Sequence, residues 1–298
     1  MMLLRKIGRI IQIWLTKFWI PLSITVVLLT MAITTTTVLL HREQVTVKIS
    51  NIPVHTKRGV SAPSAGVLNR GEHLQILKRD NGWYQIRRED ESEVWVAGWL
   101  VERTQPLDKI TPLSEATVVL DPGHGGSDVG AISNGGDYEK KYTLELGQAV
   151  RKELEKQGTR VIMTRSTDKL VELADIPTVA EKNQADMFIS FHFDSSPQSN
   201  SASGFTTYYY HENNGSLDLA RDVNKAIAPN MPKDMPNKGE EFGDFLVIRE
   251  NSVPAILMEN GYINSNKDLK HMKSEDFTQQ IARDIPDGLQ SYLARQKQ

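Results

Sequence analysis

The chain has 298 residues, 39% of them hydrophobic and 24% charged, with a formal net charge of −2 and no cysteine. That is enough apolar material for a sizeable core and gives room for about two domains. Near-neutrality removes any global electrostatic case for nucleic acid. The lack of cysteine excludes disulfides and thiolate chemistry, so a transition metal would need His and carboxylate ligands.

Phe18 to Leu40 is a charge-free run of 23 residues, preceded by Arg5, Lys6, Arg9 and Lys17 and followed closely only by Arg42. As a helix it would be about 34 Å long, enough for a bilayer core. The positive-inside rule puts residues 1–17 in the cytoplasm and everything beyond residue 41 outside. A cleaved signal peptide is the alternative, but its apolar stretch is normally shorter and ends in a small-x-small site, and no Ala-x-Ala follows here. The run 18–40 therefore reads as an uncleaved single-pass membrane anchor.

Residues 41–102 change character. Short alternating segments (Val45–Ile49, His73–Leu77, Trp83–Ile86 and Val94–Leu100) are separated by turn residues, including Asp80-Asn81-Gly82 between two of them. This predicts a small β-barrel with a hairpin at Asn81-Gly82. Gly71-Glu72, Asn81-Gly82-Trp83-Tyr84 and Trp95-Val96-Ala97-Gly98-Trp99 resemble bacterial SH3-like domains, whose relatives are often fused to cell-wall enzymes and bind wall peptides. The first strand, Lys48 to Pro53, departs from that pattern. Trp83 and Trp99 read as core residues, with a ligand-binding ridge as the alternative. Residues 103–115, with Pro106 and Pro112, read as a linker.

From 116 to 298 strand and helix signals alternate, predicting an α/β domain with a mostly parallel twisted sheet flanked by helices. Val118-Val119-Leu120 is a buried-strand signal broken at once by Asp121-Pro122-Gly123-His124-Gly125-Gly126. Helices are expected at 139–157, 171–184 (interrupted by Pro177), 216–227 and 276–295 (kinked or split at Pro286). Further strands are expected at 159–163, 185–193, 205–210, 245–248 and 253–258, and a loop at 229–239.

Four groups then fall at strand ends or a first helical turn: His124, Glu139, His192 and Glu259. In an open α/β sheet such positions share one edge. His, Glu and His make an open zinc site, and a free carboxylate beside it suits a general base. Each has a plainer reading. Glu139 favours a helix N-terminus anyway, His192 could simply close its strand, and Glu259 could pair with Arg165 or Arg249. No local signature such as His-Glu-x-x-His decides between them.

Residues 118–130 (VVLDPGHGGSDVG), Glu139, 161–165 (VIMTR), 185–192 (ADMFISFH) and 254–266 (PAILMENGYINSN) resemble the zinc-dependent N-acetylmuramoyl-L-alanine amidases of the amidase-3 family. The resemblance covers about residues 116–295. It implies Zn2+ as cofactor with His124, Glu139 and His192 as ligands and Glu259 as the catalytic glutamate. It also implies peptidoglycan as substrate, cut at the amide between muramic acid and L-alanine. Three positions depart from the family: Asp194 stands where an asparagine is usual, an arginine is usual near Ile176, and an asparagine near Glu181. A silent wall-binding scaffold, and an amidase that needs a membrane-protein activator, stay open beside this reading.

Overall fold

The computed structural model describes residues 2–296, without the side chains of residues 37–42. Residue 1 and residues 297–298, the ends of the expected segments, lie outside it. The chain begins with two helices, α1 (Met2–Trp14) and α2 (Ile20–Arg42), joined by a π-helical turn at Leu15–Trp19. Met2–Thr36 is long and apolar enough to cross a membrane by length and composition. Hydroxyls of Ser23, Thr25 and Thr30 donate to the carbonyls four residues earlier, so these polar groups do not oppose burial in lipid.

A β module follows. Its strands are β1 (Gln44–Thr46), β2 (Ile52–His55), β3 (Ser64–Leu68), β4 (His73–Asp80), β5 (Trp83–Arg87) and β6 (Glu93–Ala97), arranged β1-β4-β5-β6-β2-β3. All of its pairings are antiparallel. The Asn81-Gly82 turn joins β4 to β5, with both residues at positive φ. Two strands had no clear signal: Pro53 obscures β2, and Gly66 obscures β3. The last strand stops at Ala97, and Gly98–Val101 forms one helical turn, α3. A Cβ on Gly98 would lie 2.6 Å from the Gly82 carbonyl oxygen, so the strand can close only over glycine.

The second sheet has the order β11-β10-β12-β9-β7-β8, from β7 (Thr117–Pro122), β8 (Arg160–Met163), β9 (Met187–Asp194), β10 (Phe205–Tyr209), β11 (Asn237–Phe242) and β12 (Ala255–Tyr262). Pairs β7–β8, β7–β9, β9–β12 and β10–β11 are parallel; β10–β12 is antiparallel. Its helices are α4 (Glu139–Lys156), α5 (Ile176–Lys182), α6 (Ser216–Ile227), α7 (Leu246–Arg249), α8 (Asn266–Met272) and α9 (Glu275–Arg295). One core joins Val118, Leu120, Ile189 and Ile256 to α4, α6 and α9; a second, on the other face, joins Val119, Phe188 and Leu257 to α5 and α7. Alternate residues of the same strands thus feed opposite layers, as a sheet covered on both faces requires.

Several elements differ from expectation. Residues 245–248 are not a strand: Leu246–Arg249 is helical, because a four-residue apolar run carries no period to distinguish the two. Strand β11 begins inside the expected loop. Its Asn-Lys-Gly-Glu-Glu-Phe sequence is polar because it is the solvent-facing edge of the sheet. Helix α5 starts at Ile176, so Pro177 opens it, where a missing N–H costs nothing. Helix α9 runs unbroken through Pro286. Helix α8 was not anticipated; Ser265 caps it by accepting from the Asp268 N–H.

One half-buried acid at the amino ends of β7 and β9 gives a testable pH effect. Asp186 accepts from the Thr117 N–H at 2.7 Å. Burial pushes its carboxyl up to about 6, with the Thr117 N–H and Arg58 opposing and Glu115 adding to the rise. Between about pH 4 and 6 the folded protein therefore keeps a proton that the unfolded chain has lost, and stability falls as pH rises through this window. Asp186→Asn should flatten that fall, raising stability at pH 7 by about 1–2 kcal/mol, as read by denaturant unfolding at pH 4.5 and 7.

Candidate metal centre and active site

The site is built at the carboxyl ends of β7, β9 and β12. Strand β7 ends at Pro122, and the chain turns through Gly123 to His124, which takes a left-handed φ of 64°. A side chain on Gly123 would put its Cβ 2.2 Å from the His192 ring, so glycine is what lets the two imidazoles meet. Glu139 is the first residue of α4, and His192 lies near the end of β9.

His124 Nε2 lies 3.0 Å from Glu139 Oε2, and His192 Nδ1 lies 3.0 Å from Glu139 Oε1. The two rings meet edge to face with centroids 4.8 Å apart. One donor atom from each of the three residues lies within 4.8 Å of the others. Two ligands of one tetrahedral ion, each about 2.0–2.1 Å from it, sit about 3.3 Å apart, so the donors are close to the required spacing. The remaining His124 nitrogen, Nδ1, pairs with Asp128 Oδ2 at 2.9 Å, the outer carboxylate that commonly fixes a ligating imidazole.

Electrostatics match this geometry. Burial pushes the Glu139 carboxyl up, but the hydrogen bonds to His124 and His192 outweigh it and hold it well below the usual carboxylate range. Backbone N–H groups of Ala131 and Phe193 also donate to Glu139, fixing both of its oxygens. Burial lowers the His124 imidazole, and the Glu139 and Asp128 carboxylates reverse this, raising it to about 9.

Glu259 faces His192 in the β9–β12 register, so the two side chains share one face of the sheet. Its Oε2 is buried and accepts no hydrogen bond. Neither Arg165 nor Arg249 is its partner: Arg249 pairs with Asp244 and Glu250, and Arg165 bonds elsewhere. Burial holds Glu259 well above the usual carboxylate range, and the charges of Glu139 and then Asp194 add to the rise. A buried acid with a vacant oxygen beside a metal-competent cluster is a candidate acid/base, by both chemistry and position.

Asp194, one of the three departures, lies opposite Tyr262 in the β9–β12 register. Ile176, another, lines a cavity of 250 Å³ that also reaches His124, His192, Arg165 and Val247. Arg165 was not anticipated as a support of the site. It is 1% exposed. Its guanidinium donates to the carbonyls of Pro122 (2.7 Å), Gly123 (2.9 Å) and Lys140 (2.8 Å), to Thr167, and to the Thr143 hydroxyl. It therefore ties the turn that carries His124 to the first turn of the helix that carries Glu139. Asp121 is a second such group, accepting from Thr164 and Ser190 at 2.7 Å each. Arg165→Met strips donors from three buried or half-buried carbonyls, those of Pro122, Gly123 and Lys140, and should cost on the order of 3 kcal/mol in denaturant unfolding.

A three-layer α/β protein with a metal-competent His–Glu–His cluster at its carboxyl edge is the class that fold and site define together. Residues 118–291 match the family model for N-acetylmuramoyl-L-alanine amidase, and residues 50–102 that for the bacterial SH3 domain. The chain is 34% identical over 250 residues to a probable cell wall amidase LytH of Staphylococcus epidermidis, and 32% identical over 253 residues to that of Staphylococcus aureus, covering 82% of each chain. Among solved structures it is similar to the amidase AmiC2 of Nostoc punctiforme (36% identity, TM-score 0.57, covering 60% of this chain and 98% of that one). It is also similar to the CwlD amidase of Clostridioides difficile in complex with the GerS lipoprotein (26% identity, TM-score 0.56, covering 60% and 99%). The chain belongs to the N-acetylmuramoyl-L-alanine amidase family.

Proposed function

We propose that this protein is a membrane-anchored, zinc-dependent peptidoglycan amidase. It cuts the amide between the lactyl group of N-acetylmuramic acid and L-alanine, and so frees stem peptides from glycan strands. The observation that carries the reading is the meeting of His124, Glu139 and His192 beside the unpaired Glu259 oxygen. Two imidazoles and a carboxylate suit zinc, and leave a position open for water or substrate. In this reading His124, Glu139 and His192 hold the ion. When bound, zinc supplies Lewis acidity to the scissile carbonyl and to water.

The chain's own groups do the rest. Glu259 takes a proton from the attacking water and delivers it to the departing alanine nitrogen. Asp128 keeps His124 in one orientation. Glu139, bonded by two backbone N–H groups, keeps its carboxylate ionised for the metal. The Ile176–Val247 wall gives the cavity an apolar side that suits the methyl groups flanking the scissile amide.

In this scheme residues 1–17 are cytoplasmic, 18–40 cross the membrane, and 41–102 form the SH3-like module. Residues 103–115 then link it to the catalytic domain, 116–298, which faces the wall. The anchor also supports a second reading, in which the enzyme turns over only when a membrane-protein activator engages it. The CwlD relative was solved bound to a lipoprotein, which adds weight to a partner.

The test is metal-stripping of the full chain in detergent. Stem-peptide release from purified wall should stop on chelation and return with stoichiometric zinc. Undiminished release after metal removal would rule the proposal out. Release only in native membranes, not in detergent, would favour the activator.

A further inference from the structure

The SH3-like module meets the catalytic domain at the amino ends of β7, β8 and β9, the edge opposite the site. Trp83 is only 2% exposed and belongs to the catalytic domain's main core. Trp99 Nε1 donates to the carbonyls of Ser114 (2.9 Å) and Gly158 (3.0 Å). The Trp83 and Trp99 rings meet edge to face at 6.1 Å. His55 of β2 pairs with Glu115 at 2.6 Å, and the residues are 2% and 1% exposed. From the other side, Arg160 at the start of β8 donates to the Asn81 carbonyl at 2.8 Å and lies over the Trp99 ring. Leu100 packs so closely on Gly158 that a Cβ there would sit 3.3 Å from it.

We infer that the aromatic face of the SH3-like module is a permanent docking surface for the catalytic domain, so that the module is a structural pedestal between anchor and active site rather than a wall-peptide receptor. A face that bound a peptide would keep its tryptophans accessible, as aromatic recognition surfaces do. Here the Trp83 indole is fully buried, and the Trp99 N–H is shared between one carbonyl of the linker, Ser114, and one of the catalytic domain, Gly158. Polar groups around them, His55 with Glu115 and Arg160 with the Asn81 carbonyl, are paired at the seam too, and parting the domains would trade these bonds for water while exposing the apolar Trp83 surface. The pedestal holds the amino edge of the sheet and leaves the carboxyl edge free for glycan. Capture of substrate then falls to the catalytic domain and to tethering.

The sequence offers a clean test, because residues 116–298 contain no tryptophan and the chain no cysteine. In the full chain in detergent micelles, with Trp14 and Trp19 changed to phenylalanine, tryptophan emission reports on the module alone. Ala220 is 0% exposed in α6, so the thiol introduced by Ala220→Cys reports on opening of the catalytic core through its labelling. Both signals should change at the same denaturant concentration, and Trp99→Phe should lower both midpoints together. If the module unfolds while the introduced thiol stays protected, or if Trp99→Phe moves only the emission midpoint, the inference is overturned. Soluble uncrosslinked glycan strands should leave tryptophan emission and its quenching by acrylamide unchanged. A saturable change would make the module a receptor after all.

Discussion

Glu259→Gln should lower stem-peptide release by roughly 10²–10⁴-fold, the usual worth of a positioned acid/base, while metal content stays at one ion per chain. The substitution removes a titrating oxygen and little else. No group donates to Oε2 in the folded protein, so the amide takes no acceptor away from a donor, and its one cost is a buried NH2 group without a partner. Glu259 is also outside the His124–Glu139–His192 cluster, which is why metal and turnover should separate. The pH profile carries a second mark. With Glu259 as the base, as proposed, release needs its ionised form, so activity should rise with pH along its acid limb. Asp194 adds a like charge beside Glu259. Asp194→Asn should therefore move that limb to lower pH. A limb that moves upward, or a Glu259→Gln variant of full activity, would take the acid/base role away from Glu259.

His192→Ala should remove the metal and at least about 10³-fold of the release rate, since Lewis acidity supplies several kcal/mol of the barrier. Elemental analysis after gel filtration and a peptide-release assay check the two halves. Asp128→Asn, which alters the partner of His124 Nδ1 and the acceptor of the Gly130 N–H, should weaken metal binding by about 10–100-fold without abolishing it. Binding should also displace protons. In the metal-free protein His124 is raised to about 9, so at pH 7 it carries a proton that a metal must expel. Affinity should accordingly fall as pH drops. Titration calorimetry in two buffers of different ionisation enthalpy should show net proton release on binding.

How much of this was legible in the letters varies by element. The His124 turn could be read because proline and glycines break an apolar strand abruptly. His192 and Glu259 could be read because each is polar at the end of a hydrophobic run. Their meeting follows from parallel β7, β9 and β12, whose carboxyl ends share an edge. Edge strand β11 could not be read, since a solvent-facing edge of Lys, Gly and Glu has the composition of a loop. Nor could the turn at Leu246–Arg249, too short for a period. The sequence offered Arg165 as a partner for Glu259, whereas in the fold it holds carbonyls of two separate segments. Nothing local announces which acceptors a buried guanidinium will find. Trp83 and Trp99 read as core, and Trp83 is buried, but the core it joins belongs to the domain that follows. That is a fact of domain docking, which no periodicity within the module encodes.

The most direct measurement is mass spectrometry of wall digested by the zinc-loaded full chain in ¹⁸O-labelled water. Free stem peptides beginning with L-alanine are expected, with one ¹⁸O in the lactyl carboxylate of the glycan they leave. Label at a sugar carbon, or within a shortened peptide, would mean that a different bond is cut.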